Sequence, residues 1–159
     1  MNSFQYFLPQ LISGAEAMQT AAKILEPLLV SGAETANRTR IIFATVKGDI
    51  HDIGKNIVIV MLKNYGFDVL DLGKDVPPEV IIDTAVREKI DIIALSALMT
   101  TTMKSMRATV ELAKNRKLGQ LKFIVGGAVV DENFANEIGA RYAADPMATV
   151  RAARELAQL

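Results

Sequence analysis

The sequence has no cysteine and no tryptophan, and its aromatic residues are only six phenylalanines and three tyrosines among 159 residues. The lack of cysteine excludes disulfides, thiolate zinc sites, iron–sulfur clusters and a cysteine nucleophile. Basic and acidic residues balance at 18 each, and no basic patch points to nucleic acid. No apolar run reaches the roughly 20 residues of a membrane span, and the N-terminus does not look like a signal peptide. We therefore expect a cytoplasmic protein without a membrane or nucleic-acid partner.

Two unequal parts are visible along the chain. Apolar residues recur at spacings of three and four over residues 8–30, which predicts helix, and a polar linker follows over residues 31–40. After the linker, short apolar runs alternate with helical stretches. The predicted strands are Ile41–Val46, Phe67–Leu72, Asp91–Ser96, Leu121–Val125 and Arg141–Ala143. The predicted helices are Gly54–Tyr65, Pro78–Lys89, Thr101–Arg116, Glu132–Ile138 and Pro146–Ala157.

Five β–α repeats predict an α/β fold in which helices cover both faces of a parallel sheet. If the strand order is the flavodoxin-like 2-1-3-4-5, the ligand crevice lies beyond the carboxyl ends of strands 1 and 3. Polar residues gather in the loops after those two strands, Lys47–Asn56 and Ser96–Thr102. The sequence therefore predicts a flavodoxin-like, five-stranded sheet with a ligand at this edge.

His51 is the only histidine, and it follows Asp49 by two residues in the first of these loops. An imidazole ligates a transition metal best when its other ring nitrogen donates to a carboxylate. Asp49 or Asp52 can be that carboxylate, and a hydroxyl such as that of Thr102 can bond the carboxylate in turn. One histidine without cysteine cannot form an ordinary zinc site, but it can be one axial ligand to a metal held by a macrocycle. The alternative is a loop histidine beside an aspartate that caps the next helix.

Other residues near this edge also have two interpretations. The hydroxyls of Ser96 and Thr100–Thr102 either meet a ligand or cap the following helix. Gly126-Gly127 either lets a ligand approach the backbone closely or forms a tight turn. We interpret Lys47 and Lys55 as solvated surface charges.

The first loop contains the segment Gly48-Asp49-Ile50-His51-Asp52-Ile53-Gly54. Its Asp-x-His-x-x-Gly pattern resembles the signature of the vitamin B12-binding domain family. Ser96-x-Leu98 and Gly126-Gly127 are similar to the other two landmarks of that family, in the same order. Upstream, Phe7-Leu8-Pro9-Gln10-Leu11 resembles the end of the helical cap in cobalamin-dependent methionine synthase and in free-standing corrinoid proteins.

The resemblance implies a non-catalytic corrinoid carrier that moves a methyl group on cobalt between partner methyltransferases. The cofactor would be cobalamin, as methylcobalamin or another corrinoid, bound base-off with His51 as the lower axial ligand. Asp49 would orient His51, and Thr102 would hydrogen-bond Asp49. The partners would be a substrate-specific methyltransferase, an acceptor methyltransferase and a reductive activator, and a homodimer is an open alternative.

The resemblance also implies where the cofactor touches the chain. Its nucleotide tail would enter a slot beside the sheet lined by Ser96, Leu98, Gly126 and Gly127, with Val125 and Ala143 or Ala144 nearby. The lower face of the corrin ring would meet Gly48, Ile50 and Asp52, and Ile53 and Gly54 of the same segment would also bind the cofactor. Thr100 would contact the corrin or the tail, and Leu8 and Leu11 would lie over the upper face near the methyl group.

The implied domain division is a cap remnant with its linker over residues 1–38 and a cobalamin-binding α/β domain over residues 39–159. A complete cap is a four-helix bundle, whereas this chain holds about its last helix and a half. Either the sequence is a fragment of a longer protein or the cap is naturally reduced, and in both cases we expect the upper face of the cofactor to be less protected.

Four other functions are open. A B12-dependent sensor would use the same pocket but would usually bring a DNA-binding or signalling domain. A cobalamin-binding fragment of methionine synthase would tend to have Gly and Pro in the Ser96–Thr102 loop. A mutase subunit would not be expected to carry the Phe7–Leu11 segment. A cofactor-free receiver domain would need a phosphorylatable aspartate after a central strand, where this chain has Val46-Lys47-Gly48.

Overall fold

The computed structural model describes residues 39–158 and four helical positions upstream, at residues 17, 20, 21 and 24. In residues 39–158 the strands are β1 Arg40–Thr45, β2 Asp68–Asp71, β3 Ile92–Ser96, β4 Lys122–Gly126 and β5 Arg141–Tyr142. The helices are α1 Ile53–Asn64, α2 Pro78–Glu88, α3 Met103–Asn115, α4 Glu132–Ile138 and α5 Pro146–Ala157. A short 3-10 turn, Thr100–Thr102, precedes α3. Each strand and helix predicted for this part of the chain is confirmed, with ends that differ by at most two residues.

The five strands form one parallel sheet in the order β2-β1-β3-β4-β5. This order confirms the predicted flavodoxin-like fold. Thr45 pairs with Ser96, and Ser96 pairs with Gly126, so β1, β3 and β4 end on one edge of the sheet. The three loops that carry the sequence motifs therefore leave the sheet side by side, at the edge where such folds bind ligands.

Alternate residues of the central strands point to opposite faces of the sheet, and each face has its own core. We call them the α2–α4 face and the α1/α5 face, after the helices that cover them. The α2–α4 face is built on Ile42, Ile93 and Val125 of the strands. The α1/α5 face is built on the residues one position earlier or later, which include Phe43, Ala94 and Ile124.

The helices α4 and α5 begin at side-chain caps. Asp131 accepts from the backbone N–H of Phe134, and Asp145 accepts from that of Ala148, at 2.8 and 2.7 Å. Such caps satisfy N–H groups that have no partner within the helix. Of the helices that the structure describes, none has the length and apolar character of a membrane span.

The proposed division of the chain at residue 38 stays a prediction. Leu8 and Leu11, which were expected over the upper face of a cofactor, lie outside the described residues.

Candidate functional site

The loop between β1 and α1 holds His51 through one carboxylate. His51 Nδ1 lies 2.7 Å from Asp49 Oδ1, and the backbone N–H of His51 donates to the same oxygen at 3.0 Å. A carboxylate partner keeps the ring proton on Nδ1 and leaves the Nε2 lone pair for a metal. The side chain of His51 is 48% exposed, so the ring is accessible to a ligand. Asp52 was the alternative partner; it stands at the N-cap position of α1 and makes no side-chain capping hydrogen bond.

Asp49 is fully buried and is held by the loop after β3. Its Oδ2 accepts from the backbone N–H groups of Leu98 at 2.7 Å and Met99 at 3.3 Å. Thr102 Oγ1 lies 2.9 Å from the same oxygen and 2.7 Å from the Met99 carbonyl. The ionised carboxylate is the stronger acceptor for the single hydroxyl proton. The structure thus joins Thr102, Asp49 and His51 in one hydrogen-bonded chain across two loops.

The surroundings of Asp49 keep it ionised. Burial by itself raises the pKa of this carboxyl, but the hydrogen bonds from Leu98, His51 and Thr102 outweigh burial and hold the pKa well below its usual range. An anionic carboxylate behind the ring keeps accepting from Nδ1 and strengthens Nε2 as a donor to a metal. The buried aspartate is therefore suited to orient a ligating histidine.

A cavity of about 940 Å³ opens beside His51, between the sheet and helices α1 and α5. Its floor includes Phe43, Ala94 and Ile124, which pair with one another across β1, β3 and β4. Most residues that the sequence analysis assigned to a cofactor lie in its wall, namely Ile50, His51, Asp52, Ile53, Gly54, Ser96, Leu98, Gly126, Gly127, Ala143 and Ala144. Whether each of them touches a cofactor stays a prediction.

The paired glycines at the end of β4 are required by neighbouring backbone. A Cβ atom on Gly126 would lie 2.6 Å from the carbonyl oxygen of Ala143. A Cβ atom on Gly127 would lie 1.9 Å from the carbonyl oxygen of Ala97, and φ at Gly127 is +128°. Both glycines are therefore required by the packing of the fold itself, and both also lie in the cavity wall, so that the approach of a ligand to this pair stays a prediction.

Several residues that were assigned to the cofactor lie away from the cavity wall. Val125 is completely buried on the α2–α4 face, because it follows Ile124 by one residue in β4 and points the opposite way. Its side chain therefore does not face the cavity, near which the residue was expected to lie. Thr100 and Gly48 are exposed outside the wall, and Gly48 has φ +86°.

The prediction that Lys55 is a solvated surface charge is wrong. Its side chain is only 1% exposed, and its Nζ donates to both carboxylate oxygens of Asp71 at 2.6 and 2.7 Å and to Asn56 Oδ1 at 2.9 Å. Asp71 is the last residue of β2, 16 residues from Lys55, so nothing near Lys55 in the sequence reveals the pairing. Lys47 is exposed, as predicted.

Sequence reasoning also missed contacts made by backbone and by strand faces. The amide groups of Leu98 and Met99 bind Asp49, and backbone donors carry no residue signature. Further wall residues were not assigned to the site, namely Phe43, Lys55, Ile57, Val58, Lys74, Ala94, Leu95, Ile124, Ala128, Val130, Tyr142, Asp145, Pro146 and Thr149. Strand alternation combined with the strand order is the signal that could have found the floor residues among them.

The donor set fits a metal that brings its own macrocycle. In the part of the chain that the structure describes, no three His, Cys, Asp or Glu side chains are grouped as ligands for a metal ion. One imidazole backed by a buried carboxylate supplies a single axial position. The cavity beside it, with its apolar floor, offers room for an organic group attached to such a macrocycle.

Comparison with known proteins gives one consistent family. The B12 binding domain model matches residues 39–151. Dimethylamine corrinoid protein 2 of Methanosarcina acetivorans is 42% identical over 152 residues, which cover 94% of this chain and 70% of that protein. The structure of the Methanosarcina barkeri monomethylamine corrinoid protein aligns with a TM-score of 0.82 and 33% identity, over 95% of this chain and 72% of that chain.

A third likeness is to a chain of the methanol:cobalamin methyltransferase complex MtaBC from Methanosarcina barkeri. Its TM-score is 0.73 at 30% identity, over 97% of this chain and 59% of that chain. The chain therefore belongs to the B12-binding domain family and is a relative of the corrinoid proteins.

Proposed function

We propose that this chain is a corrinoid carrier that binds cobalamin base-off, with His51 as the lower axial ligand, and presents the cofactor to partner methyltransferases. The observation that carries the proposal is the Thr102–Asp49–His51 chain of hydrogen bonds beside the cavity. A half-exposed imidazole, a buried anionic carboxylate and a neighbouring cavity are the three features that such binding requires.

Different residues of this chain have different roles in holding the cofactor. When bound, cobalamin supplies a cobalt centre that accepts a methyl group from one substrate and passes it to another. Asp49 keeps the proton on His51 Nδ1, so that Nε2 is left for cobalt. Thr102 and the Leu98 amide keep Asp49 ionised and in place. The cavity would hold the nucleotide tail of the cofactor, and Phe43 and Ile124 would shield the tail from water.

The names of the related proteins support methyltransferases as partners of this chain. Those relatives are named for dimethylamine and monomethylamine, and the related complex for methanol, which are all small methylated compounds. We infer a methyl donor of that class, transferred by a substrate-specific methyltransferase and passed on by an acceptor methyltransferase. A reductive activator, a homodimer and a cytoplasmic location stay predictions.

Cofactor loading followed by electron paramagnetic resonance tests the ligand assignment. Hydroxocobalamin is added to the apoprotein, free cofactor is removed by gel filtration, and the complex is reduced to cobalt(II). The wild-type protein and Lys47→Ala, which changes an exposed side chain of the same loop, should retain cofactor and show nitrogen splitting from histidine. His51→Ala should lose that splitting. A retained cofactor with unchanged splitting in His51→Ala would discard His51 as the ligand, and no retained cofactor in the wild type would refute the proposal.

Methyl transfer separates a carrier from a sensor that only binds the cofactor. The loaded protein, reduced chemically to cobalt(I), is mixed with a methylamine-type methyltransferase and one methylated compound at a time. A carrier should show the visible spectral change of cofactor alkylation with one donor class. Binding without alkylation by any donor would favour the sensor.

A further inference from the structure

The end of β2 and the loop that follows it contact the chain on both sides of His51. Before His51, the backbone N–H of Gly48 donates to Asp75 Oδ1 at 2.7 Å, and the backbone N–H of Asp75 donates to the carbonyl of Asp49 at 3.0 Å. After His51, Lys55 binds the carboxylate of Asp71, the last residue of β2. The segment from Gly48 to Lys55 is therefore attached at one end to the loop after β2 and at the other end to β2 itself.

This neighbouring loop is itself fixed to the end of β1. The carbonyl of Gly73 accepts from Thr45 N–H at 2.9 Å, and Val76 N–H donates to the Thr45 carbonyl at 3.1 Å. Asp71 Oδ1 also accepts from Gly73 N–H at 2.8 Å. The loop thus has a defined position relative to the sheet, from which it can hold the histidine segment.

Asp75 adopts a left-handed backbone conformation, with φ +55°. A side chain in this region carries a backbone cost, although aspartate and asparagine tolerate it better than most residues. In this conformation the residue makes both bonds to the histidine segment, one by its carboxylate and one by its N–H. A strained residue with two bonds to the residues just before His51 indicates a role beyond turning the chain.

We infer that Asp75 is a positioning residue for His51, which acts through Gly48 and Asp49 to hold the imidazole against the Asp49 carboxylate. The Asp49 side chain is fixed by the loop after β3, and its backbone is fixed by Asp75. Both constraints are needed to keep Oδ1 aimed at Nδ1. The inference rests on the proposed function only where it names His51 as a cobalt ligand; the effect on the apoprotein does not depend on it.

Three substitutions separate the hydrogen bond from the backbone strain. Asp75→Asn keeps an acceptor oxygen and tolerates the left-handed conformation, so it should behave like the wild type. Asp75→Gly removes the strain but also removes the acceptor for Gly48 N–H. The matched control is Asp83→Asn, which alters an exposed aspartate on α2 that pairs with Arg116 and not with the histidine segment.

The first readout uses the fact that His51 is the only histidine. Ring nitrogen-15 labelling of the apoprotein then gives the tautomer of this residue alone in long-range proton–nitrogen spectra. At mildly alkaline pH, the wild type, Asp75→Asn and Asp83→Asn should hold the Nδ1–H tautomer. In Asp75→Gly the ratio of Nδ1–H to Nε2–H should fall about tenfold, the effect of losing one charge-assisted hydrogen bond from the segment.

The second readout is the cobalt(II) spectrum of the loaded variants. Asp75→Gly should retain cofactor but show a smaller fraction of histidine-coordinated cobalt than the wild type. Asp75→Asn should show the same fraction as the wild type. An Asp75→Gly protein with the wild-type tautomer ratio and splitting would overturn the inference. So would an Asp75→Gly protein that circular dichroism finds unfolded, since Asp75 would then support the whole fold. A wild type with the Nδ1–H tautomer but no nitrogen splitting would refute the proposed function and leave the positioning of His51 standing.

Discussion

The two faces of the sheet are built from alternate residues of the same strands, yet they serve different purposes. On the α2–α4 face, Ile42, Ile93 and Val125 are completely buried in a core between sheet and helices. On the α1/α5 face, the row of Phe43, Ala94 and Ile124 is also buried, but these side chains form the floor of a cavity. The α2–α4 face contributes a packed core, whereas the α1/α5 face also forms a ligand cavity near the carboxyl ends of the strands.

The difference arises along the helices rather than along the strands. The first turns of α1 and α5 supply cavity wall, through Ile57 and Thr149 among others. Later turns pack into the core, where Leu62 and Ala153 are completely buried. The α1/α5 face is therefore a binding site next to the first turns of α1 and α5 and a packed core next to their later turns. Substitutions at neighbouring positions should separate stability from binding.

The largest expected loss of stability is at the glycine pair at the carboxyl end of β4, Gly126-Gly127. Gly127→Ala places a Cβ atom where the carbonyl oxygen of Ala97 lies, in a backbone conformation that disfavours side chains. We expect the free energy of unfolding to fall by at least about 4 kcal/mol in urea denaturation. Gly126→Ala has more room and no positive φ, and it should cost less. An unchanged urea midpoint for Gly127→Ala would contradict the close approach.

The neighbours Ile93 and Ala94 test the division between the faces most directly. Ile93→Ala should cost about 2–5 kcal/mol of stability, because it leaves a hole in a fully packed core, and it should leave cofactor affinity unchanged. Ala94→Leu extends a side chain from the cavity floor and should weaken cobalamin binding about 100-fold or more, which is about 2.7 kcal/mol. Urea denaturation and spectroscopic titration of cobalamin measure the two effects. Equal loss of affinity in both variants would show that the faces are not independent.

Much of this arrangement could be predicted from the sequence, because local signals mark it. Apolar runs and glycines located the strands and helices, and the clustering of polar residues in two loops agreed with the strand order that the structure has. Spacing alone left Asp49 and Asp52 open as the partner of His51; the family resemblance named Asp49 and Thr102, and these side chains do meet. The elements thus depend on local signals, and the pairing with Thr102, 53 residues from Asp49, depends on the resemblance.

What the sequence did not predict depends on contacts between distant segments. The burial of Lys55 requires Asp71 at the end of β2, and the hydrogen bond of Asp75 to Gly48 is a bond to backbone. The resemblance implied that Val125 lies near the slot, but strand alternation turns its side chain to the other face. The two-residue period of the strand shows which of its side chains can face the cavity.

The pH dependence of stability should depend on Asp49. The pKa of the Asp49 carboxyl is lowered in the folded protein, whereas the pKa of an aspartate in an unfolded chain is about 3.9. The unfolded chain therefore binds its proton first as pH falls, and the stabilisation by Asp49 is fully present above about pH 4 and is lost progressively below it. Between about pH 5 and 2, the apoprotein should lose on the order of 2 kcal/mol more than Asp49→Asn. Parallel pH slopes for the two proteins would show that Asp49 is not held by these hydrogen bonds.

The smallest expected change in stability is at Gly54. It tests whether this glycine is needed for the fold or for binding the cofactor. Gly54 is the second residue of α1 and belongs to the signature segment; its φ is not positive, and an added Cβ would meet nothing within 4 Å. The apoprotein therefore has no packing reason for glycine there, and Gly54→Ala should stabilise it by about 0.5–1 kcal/mol. Gly119 has the same open surroundings in the turn before β4, outside the cavity wall, and provides the matched control.

Both alanine variants should tolerate the added methyl in urea denaturation, but only Gly54→Ala should weaken cobalamin binding in titration. Because a corrin ring resting on the start of α1 would leave no space for a side chain, the loss of affinity places the cofactor at this wall. If Gly54→Ala binds as tightly as Gly119→Ala, the ring does not approach α1, and the contact implied by the signature glycine is wrong.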